Sequence, residues 1–191
     1  MKYVNRRGDT YYVFQGVTKT GKPKYYVSLK AESVAGIKID SLPDDFELFE
    51  SPIDARVSIR KRVTSDIYDN ELQFVQERTN SMARNVKVLV VREGRSIVIY
   101  ESAGADEFKS MAALFGGLTS RFVEATQSSS NMSPAFRFKL IRKKERIFQA
   151  QRFCFRGIVD DWISLHHEGT LDELCQYYLK HLGKESFYEL M

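Results

Sequence analysis

The sequence is poor in cysteine and has no long apolar run. Its two cysteines, Cys154 and Cys175, are too few for a disulfide framework and lack the C-x-x-C spacing of redox and zinc motifs. The longest purely aliphatic run, residues 88–91, is far shorter than the roughly 20 residues that cross a bilayer. Residues 1–12 have no apolar segment of the kind found in signal peptides. These absences lead us to expect reduced thiols, no membrane partner and a cytoplasmic location.

Catalytic and phosphate-binding motifs are also missing. The sequence contains no G-x-S-x-G, P-loop or G-x-G-x-x-G pattern. Its three histidines, His166, His167 and His181, do not have the spacing of a metal-binding H-x-x-x-H or H-E-x-x-H motif. Residues 160–172 combine two of these histidines with several acids, and we expect a polar surface loop there. The sequence therefore predicts no catalytic residue, no cofactor and no metal, and an enzyme using residues 160–172 is the weakest functional interpretation.

The chain does contain enough apolar and aromatic residues for a folded core. Hydrophobic residues make up 43% of its 191 residues and aromatic residues 13%. Such a composition excludes global disorder, and the length suits one domain or one domain with a small companion. We expect a β-rich subdomain at residues 1–62 and a larger domain at residues 63–191, or one continuous domain.

Residues 1–62 have the pattern of a β-meander. Runs rich in β-branched and aromatic residues predict four strands, at residues 10–17, 24–29, 46–49 and 55–62. Turn-forming residues separate these runs, and Gly21 suits a positive φ in the first turn.

From residue 63 onward, helical and strand patterns alternate. Apolar residues at helical spacing predict helices at residues 65–83, 105–127 and 170–182. Period-two alternation predicts β-hairpins at residues 86–101 and 136–156. The resulting order, α-ββ-α-ββ-α, predicts an α+β fold in which helices cover antiparallel sheet.

Helix ends in this part carry recognisable capping residues. Ser65 is placed to cap the first helix, just before acidic Asp66. Thr170 and Glu173 have the spacing of a capping box at the start of the last helix. Gly183 suits the position after that helix, where a positive φ is common. The last helix therefore has the best-marked boundaries in the sequence.

The hairpin at residues 136–156 is the most distinctive stretch. Its first phenylalanines alternate with Arg137 and Lys139, which predicts one apolar face and one basic face. A polar turn follows at residues 142–145. The alternation slips in the second strand, which indicates either a β-bulge at residues 149–151 or burial on both faces.

Positive charge is concentrated in two blocks. Residues 136–156 have a net charge of +7 and residues 1–30 of +6, although the whole chain has only +4. Clustered cations are what phosphate binding requires, and exposed aromatic rings add stacking for single-stranded nucleic acid. The candidate anion-binding residues are the cations of the two hairpins: Arg137, Lys139, Arg142, Lys143, Lys144, Arg146, Arg152, Arg156, Lys19, Lys22 and Lys24.

Two interpretations of this charge lead. The first is a non-enzymatic module that binds nucleic acid or another anionic partner through its basic β-hairpins. The second is a protein-interaction or assembly component whose basic hairpin contacts an acidic surface on another chain. Alternatively, Arg137, Lys139 and Arg152 form an ordinary solvated sheet face, or they pair with the acidic C-terminal helix. The position of the two basic blocks in the structure distinguishes these interpretations.

The two ends of the chain carry a resemblance. TGKPKYYVS (residues 20–28) and HLGKESFYEL (residues 181–190) resemble segments of an uncharacterised bacterial protein family. The resemblance implies no activity, because the family has no assigned function, and it implies a bacterial, cytoplasmic origin.

Overall fold

The structure, a computed structural model, describes residues 1–33, 35–83, 86–102, 131–155 and 160–190. The chain divides into two compact units, Met1–Val63 and Thr64–Met191. The predicted helix at residues 105–127 lies outside the described residues.

The first unit consists of two antiparallel sheets. Its strands are β1 (Lys2–Val4), β2 (Thr10–Val17), β3 (Pro23–Ser28), β4 (Ile37–Lys38), β5 (Phe46–Glu50) and β6 (Val57–Lys61). Strand β2 is central: it pairs with β3 on one side and with β1 and β4 on the other, while β5 and β6 form a separate ribbon. One sheet face packs on this ribbon, where the rings of Tyr25 and Phe46 lie 5.0 Å apart. Val13 and Phe14 are buried in this unit.

The second unit contains one five-stranded antiparallel sheet. Its elements are α1 (Asp69–Met82), β7 (Val88–Glu93), β8 (Ser96–Ser102), β9 (Met132–Arg142), β10 (Ile147–Phe155), β11 (Asp160–Gly169) and α2 (Leu171–Tyr178), followed by short 3₁₀ turns at Leu179–His181 and Glu185–Phe187. The strand order is β11-β10-β9-β8-β7, so each strand pairs with its neighbour in sequence. The two predicted hairpins are therefore parts of one meander.

The predicted α+β fold with three alternating helices is wrong. Across the described residues, 46% lie in strands and 18% in helices, with three antiparallel sheets and two α-helices. The expected polar loop at residues 160–172 is instead mostly an edge strand, β11, because a strand at a sheet edge needs only one neighbour and tolerates polar residues. Within the described ranges, no helix is both long and apolar enough to span a bilayer.

The core of the second unit lies between α1, α2 and one sheet face. Phe136, Phe138 and Leu140 of β9 are buried there, as the alternation predicts. Val75 of α1 and Leu174 of α2 are completely buried against the same cluster. The two helices therefore cover the apolar face of the sheet, and the odd-numbered cations of β9 lie on the opposite face.

The pairing of β10 with β11 is irregular at Gln149–Gln151, where the sequence predicted either a β-bulge or burial on both faces, but the extra residues lie in β11. Gln149 pairs with Glu168 and Gln151 pairs with Ser164, so one residue of β10 opposes three residues of β11. His166, the middle residue of those three, has a positive φ of 54°. Strand β10 itself pairs one-to-one with β9 from Phe148 to Arg152, so its slipped alternation reflects apolar contacts on both faces: Phe148 lies in the core, and Phe153 packs on Trp162 on the other face.

The capping predictions have different outcomes at the two helices. The Thr170–Glu173 capping box is confirmed, and Gly183 has a positive φ of 66°. The first helix begins later than predicted, with Tyr68 rather than Ser65 at the N-cap. The Tyr68 backbone N–H donates to Glu71 Oε2 at 2.8 Å, while the Ser65 hydroxyl donates to the carbonyl of Gly94. Ser65 therefore stabilises the β7–β8 turn.

Candidate functional site

Most cations of the hairpin at residues 136–156 are engaged within the second unit. Lys143 Nζ lies 2.6 Å from Asp66 Oδ1, and Arg142 pairs with Glu168 at 3.6 Å. Arg152 is buried and donates through Nε to the carbonyl of Leu190 at 2.7 Å. Each of these contacts offsets positive charge or takes up a donor that a polyanion would need.

Arg146 makes the most extensive of these contacts. It has a positive φ of 53° at the end of the hairpin turn. Its Nε donates to Glu71 Oε1 at 2.8 Å, its Nη2 also bonds to Glu71 Oε2, and both side chains are largely buried. The guanidinium also lies 4.2 Å from the Tyr68 ring centre. This fork-like pair joins the turn to the first residues of α1 rather than presenting a free cation.

Acidic residues around the start of α1 draw in further cations. Asp66 contacts both Lys143 and Arg95, and the Lys143 hydrogen bond is the main reason that the pKa of Asp66 lies below its usual range. Arg92 pairs with Asp69. The basic hairpin therefore contacts acidic residues of its own chain, but these lie before and at the start of α1 rather than on the C-terminal helix that the sequence suggested.

Arg137 belongs to a polar network on the other sheet face. Its Nε donates to Gln151 Oε1 at 2.6 Å, and Gln151 in turn donates to Gln149 at 3.0 Å. Its guanidinium lies 4.5 Å from the Trp162 ring centre. Burial lowers the pKa of Arg137 from its ordinary value. These contacts hold Arg137 in the sheet.

The remaining candidate cations of the hairpin at residues 136–156 are Lys139, Lys144 and Arg156. Lys139 and Lys144 are exposed, and neither has an acidic partner within the part of the chain that the structure describes. Arg156 lies outside the described residues. The block predicted to be the main site therefore retains two free cations out of its seven described ones.

The first hairpin is different, because its lysines are exposed and unpaired. Lys19 and Lys22 lie in the β2–β3 turn, and Lys24 lies on β3. The turn is closed by the Thr18 backbone N–H, which donates to the Lys22 carbonyl at 2.8 Å, and by Gly21 at a φ of 78°. None of the three lysines has an acidic partner among residues 1–33 and 35–63.

The register of the sheet adds residues to this basic group. On β2, Tyr12 pairs with Lys2 of β1, and Phe14 pairs with Lys38 of β4. Directly paired residues and residues two apart on a strand lie on the same sheet face. The face opposite the β5–β6 ribbon, here called the basic face, therefore carries the side chains of Lys2, Tyr12, Phe14, Lys24, Tyr26 and Lys38.

Aromatic rings lie between the cations of the basic face. Lys38 Nζ lies 4.3 Å from the Tyr12 ring centre, and the Tyr26 ring stacks on Phe14 at 5.5 Å. Tyr12 and Tyr26 are half-buried, whereas Lys2, Lys24 and Lys38 are exposed. Lys2 and Lys38, like the hairpin lysines, have no acidic partner among the described residues. The face thus combines cations with partly accessible aromatic rings.

Two glycines position the strand that carries Lys38. A Cβ on Gly16 would lie 2.7 Å from the carbonyl oxygen of Ala35, and one on Gly36 would lie 2.7 Å from the carbonyl oxygen of Gln15. This close backbone approach holds the segment before β4 against β2. Lys2 and Lys38 were missed from the sequence because β1 and β4 are too short for a period-two pattern. The net charge of residues 1–30 was the available signal for Lys2.

The acidic and histidine-rich residues 160–172 form β11 and the start of α2. His166 is exposed on the bulge, and the His167 ring packs against Tyr177 and Tyr178. No group of three His, Cys, Asp or Glu side chains suited to a metal ion is found in the described ranges. Both cysteines are free, and burial raises the pKa of the Cys175 thiol to about 12.

Comparisons with protein-family models, with curated proteins and with solved structures find no match to this chain.

Proposed function

We propose that the first unit binds nucleic acid through its basic face and the adjoining hairpin turn. The observation that carries this proposal is a sheet face on which exposed lysines without an acidic partner among the described residues lie beside tyrosines, next to a hairpin turn with two more such lysines. The five lysines are Lys2, Lys19, Lys22, Lys24 and Lys38.

The side chains of the basic face and the hairpin turn favour a polymer of phosphates as the ligand. Lysine is a compact charge that suits phosphate oxygens without dictating geometry, and several lysines on one surface favour a repeating anion. Tyr12 and Tyr26 offer rings for base stacking, which contributes roughly 1–3 kcal/mol per base and tolerates any sequence. We therefore expect sequence-tolerant binding with a preference for single strands.

Binding must fall steeply with salt if this proposal is correct. Contact of all five lysines with phosphate would give a log–log slope of roughly −3.5 on single strands, from −0.7 per phosphate. Fluorescence anisotropy of a labelled single-stranded oligonucleotide, repeated across salt concentrations, measures the slope. Absence of binding at low salt would refute the proposal and leave a protein partner as the leading alternative.

A matched pair of triple variants locates the site. Lys2→Gln, Lys24→Gln and Lys38→Gln together remove three charges from the basic face. Arg142→Gln, Lys143→Gln and Lys144→Gln remove three charges from the other hairpin, where two of the cations already have acidic partners. We expect the first variant to lose most of the affinity and the second to lose little. The opposite ranking would return the site to the hairpin at residues 136–156.

A further inference from the structure

The second unit contains three aromatic rings in mutual contact at the sheet edge. The rings of Tyr177 and Tyr178 lie 4.9 Å apart, and His167 lies 5.3 Å from the first and 5.6 Å from the second. The interplanar angles are 56–89°, so the rings meet at steep angles rather than in a flat stack. We call this group the aromatic corner.

Local structure explains why these rings meet. Leu165 and His167 flank the bulge residue His166: Leu165 lies in the core beneath α2, and the His167 ring contacts Tyr177 and Tyr178 of that helix. Tyr178 is buried in the core, and Tyr177, the preceding residue of α2, is 51% exposed. The bulge at His166 lets β11 reach α2 at this point. The corner therefore has one buried wall and one accessible wall.

A cleft of about 420 Å³ opens at the aromatic corner. Its lining combines three aromatic rings, two aliphatic side chains and one carboxylate: His167, Tyr177, Tyr178, Leu165, Leu190 and Glu189. This volume lies within the usual range for small-molecule clefts, about 300–1,000 Å³. The lining has polar and apolar surface in similar amounts and includes a single acidic group.

Such a lining selects a particular ligand chemistry. Aromatic faces attract cations through the quadrupole of the ring, and a carboxylate adds a full opposite charge. Glu189 disfavours anions, and an uncharged ligand gains no charge attraction from this exposed carboxylate. Tyr177 already attracts a cation from this chain, since Lys180 Nζ lies 5.2 Å from its ring centre.

We propose that this cleft binds an alkylated ammonium group, either as a free small molecule or as the side chain of a methylated lysine in a peptide. The methyl groups contact the rings and Leu165, and the positive charge is balanced by Glu189. Burial raises the pKa of Tyr178 to about 12, so its phenol stays neutral and adds no charge to the site. The proposal involves no residue of the basic face and does not depend on nucleic-acid binding.

The test uses choline as the free probe and a trimethyllysine peptide as the second probe. Titrations followed by NMR should show saturable shifts at Tyr177 and His167. The neutral analogue of choline, in which carbon replaces the charged nitrogen, should bind at least about tenfold more weakly, because it lacks the cation–π attraction. Equal binding of the neutral analogue, or no saturable binding of either charged probe, would overturn the proposal. Tighter binding of the peptide than of choline would identify the methylated side chain as the source of the group.

Variants at exposed positions make the test independent of folding. Tyr177→Leu should weaken choline binding about tenfold, Tyr177→Phe should retain it within about twofold, and Glu189→Gln should weaken it about threefold. Tyr188→Leu is the matched control, because Tyr188 is 71% exposed and does not line the cleft. Unchanged affinity in Tyr177→Leu, or an equal loss in Tyr188→Leu, would contradict the assignment.

Discussion

Lys38 Nζ lies 4.3 Å from the centre of the Tyr12 ring, across the pairing of β4 with β2. An exposed cation over an aromatic face contributes roughly 0.5–1 kcal/mol. The contact holds the lysine above the middle of the basic face rather than leaving it to sample open solvent. Its charge is therefore presented beside a ring that a base could stack on.

Replacing Lys38 with methionine should flatten the salt dependence of nucleic-acid binding. The substitution keeps the length of the side chain but removes one phosphate contact, so the single-strand slope should change by about 0.7. Lys144→Met is the control, since Lys144 is exposed in the turn of the second unit. Anisotropy titrations at several salt concentrations measure both slopes. An identical change in the two variants would mean that only net charge matters.

Leu174→Ala should destabilise the second unit by about 2–5 kcal/mol. Leu174 is completely buried between α2 and the sheet, and truncating it leaves a cavity. Gln176→Ala on the exposed side of the same helix should change the free energy of unfolding by less than about 0.5 kcal/mol. Urea unfolding of both variants measures the difference, and an unchanged midpoint for Leu174→Ala would show that α2 is peripheral to the cooperative core.

Glu71→Gln should cost more stability than the loss of a surface ion pair. Glu71 and Arg146 have side-chain exposures of 12% and 23%, so removing the carboxylate leaves a largely buried guanidinium without its charge partner. We expect a loss of about 1–3 kcal/mol, between the values for exposed and fully buried pairs. Asp172→Asn breaks the half-exposed pair with Arg78 and should cost under about 1 kcal/mol. Equal losses in denaturant unfolding would mean that burial of the first pair carries no weight.

The pKa of Glu173 provides a pH-dependent test of the capping box. Hydrogen bonds from the Thr170 backbone N–H and then from its hydroxyl hold the pKa of Glu173 below its usual range. The folded-state pKa is therefore below the unfolded one. Its contribution to stability is present above the unfolded value and is lost as the pH falls through the folded value. Thr170→Val keeps the backbone donor but removes the hydroxyl, so an NMR titration should show a partial rise in the pKa. No rise would contradict a role for the hydroxyl.

Cys175 should resist thiol reagents in the folded protein. It is completely buried, and its pKa is raised to about 12, so almost no thiolate is present at neutral pH. In the Cys154→Ser variant, Cys175 is the one remaining thiol of the chain. We expect labelling of that variant in denaturant and almost none under native conditions. Rapid native labelling would show that α2 opens readily.

The sequence correctly predicted those elements whose signals come from residues close together in the chain. The boundaries of β2, the alternation of β9 and the Thr170–Glu173 cap follow from neighbouring residues, and the structure confirms them. Strand β11 was missed because its acids and histidines resemble a loop. Missing β11 contributed to the wrong fold class, which failed because the described residues form three antiparallel sheets and only two α-helices.

The candidate site was harder to predict because the net charge of a segment does not show which of its cations form ion pairs in the folded protein. Arg146 and Glu71 are 75 residues apart in sequence, and Lys143 and Asp66 are 77 apart. No local sequence pattern relates these residues, so the cations of the hairpin at residues 136–156 looked free to bind an anionic ligand although most are paired. Conversely, Lys38 joins the basic face through a two-residue strand that has no periodicity to recognise.

The bulge between β10 and β11 shows that the edge strand can gain or lose two residues without its side chains changing sheet faces. Because three residues oppose one, β11 has two extra residues, an even number, and its alternation is the same on both sides of the bulge. Deleting His166 alone would exchange the faces of Trp162 and Ile163 relative to the rest of the strand. Deleting His166 and His167 together would keep these faces and remove one ring of the aromatic corner. The length of this edge can therefore vary in pairs of residues while the sheet beneath it stays intact.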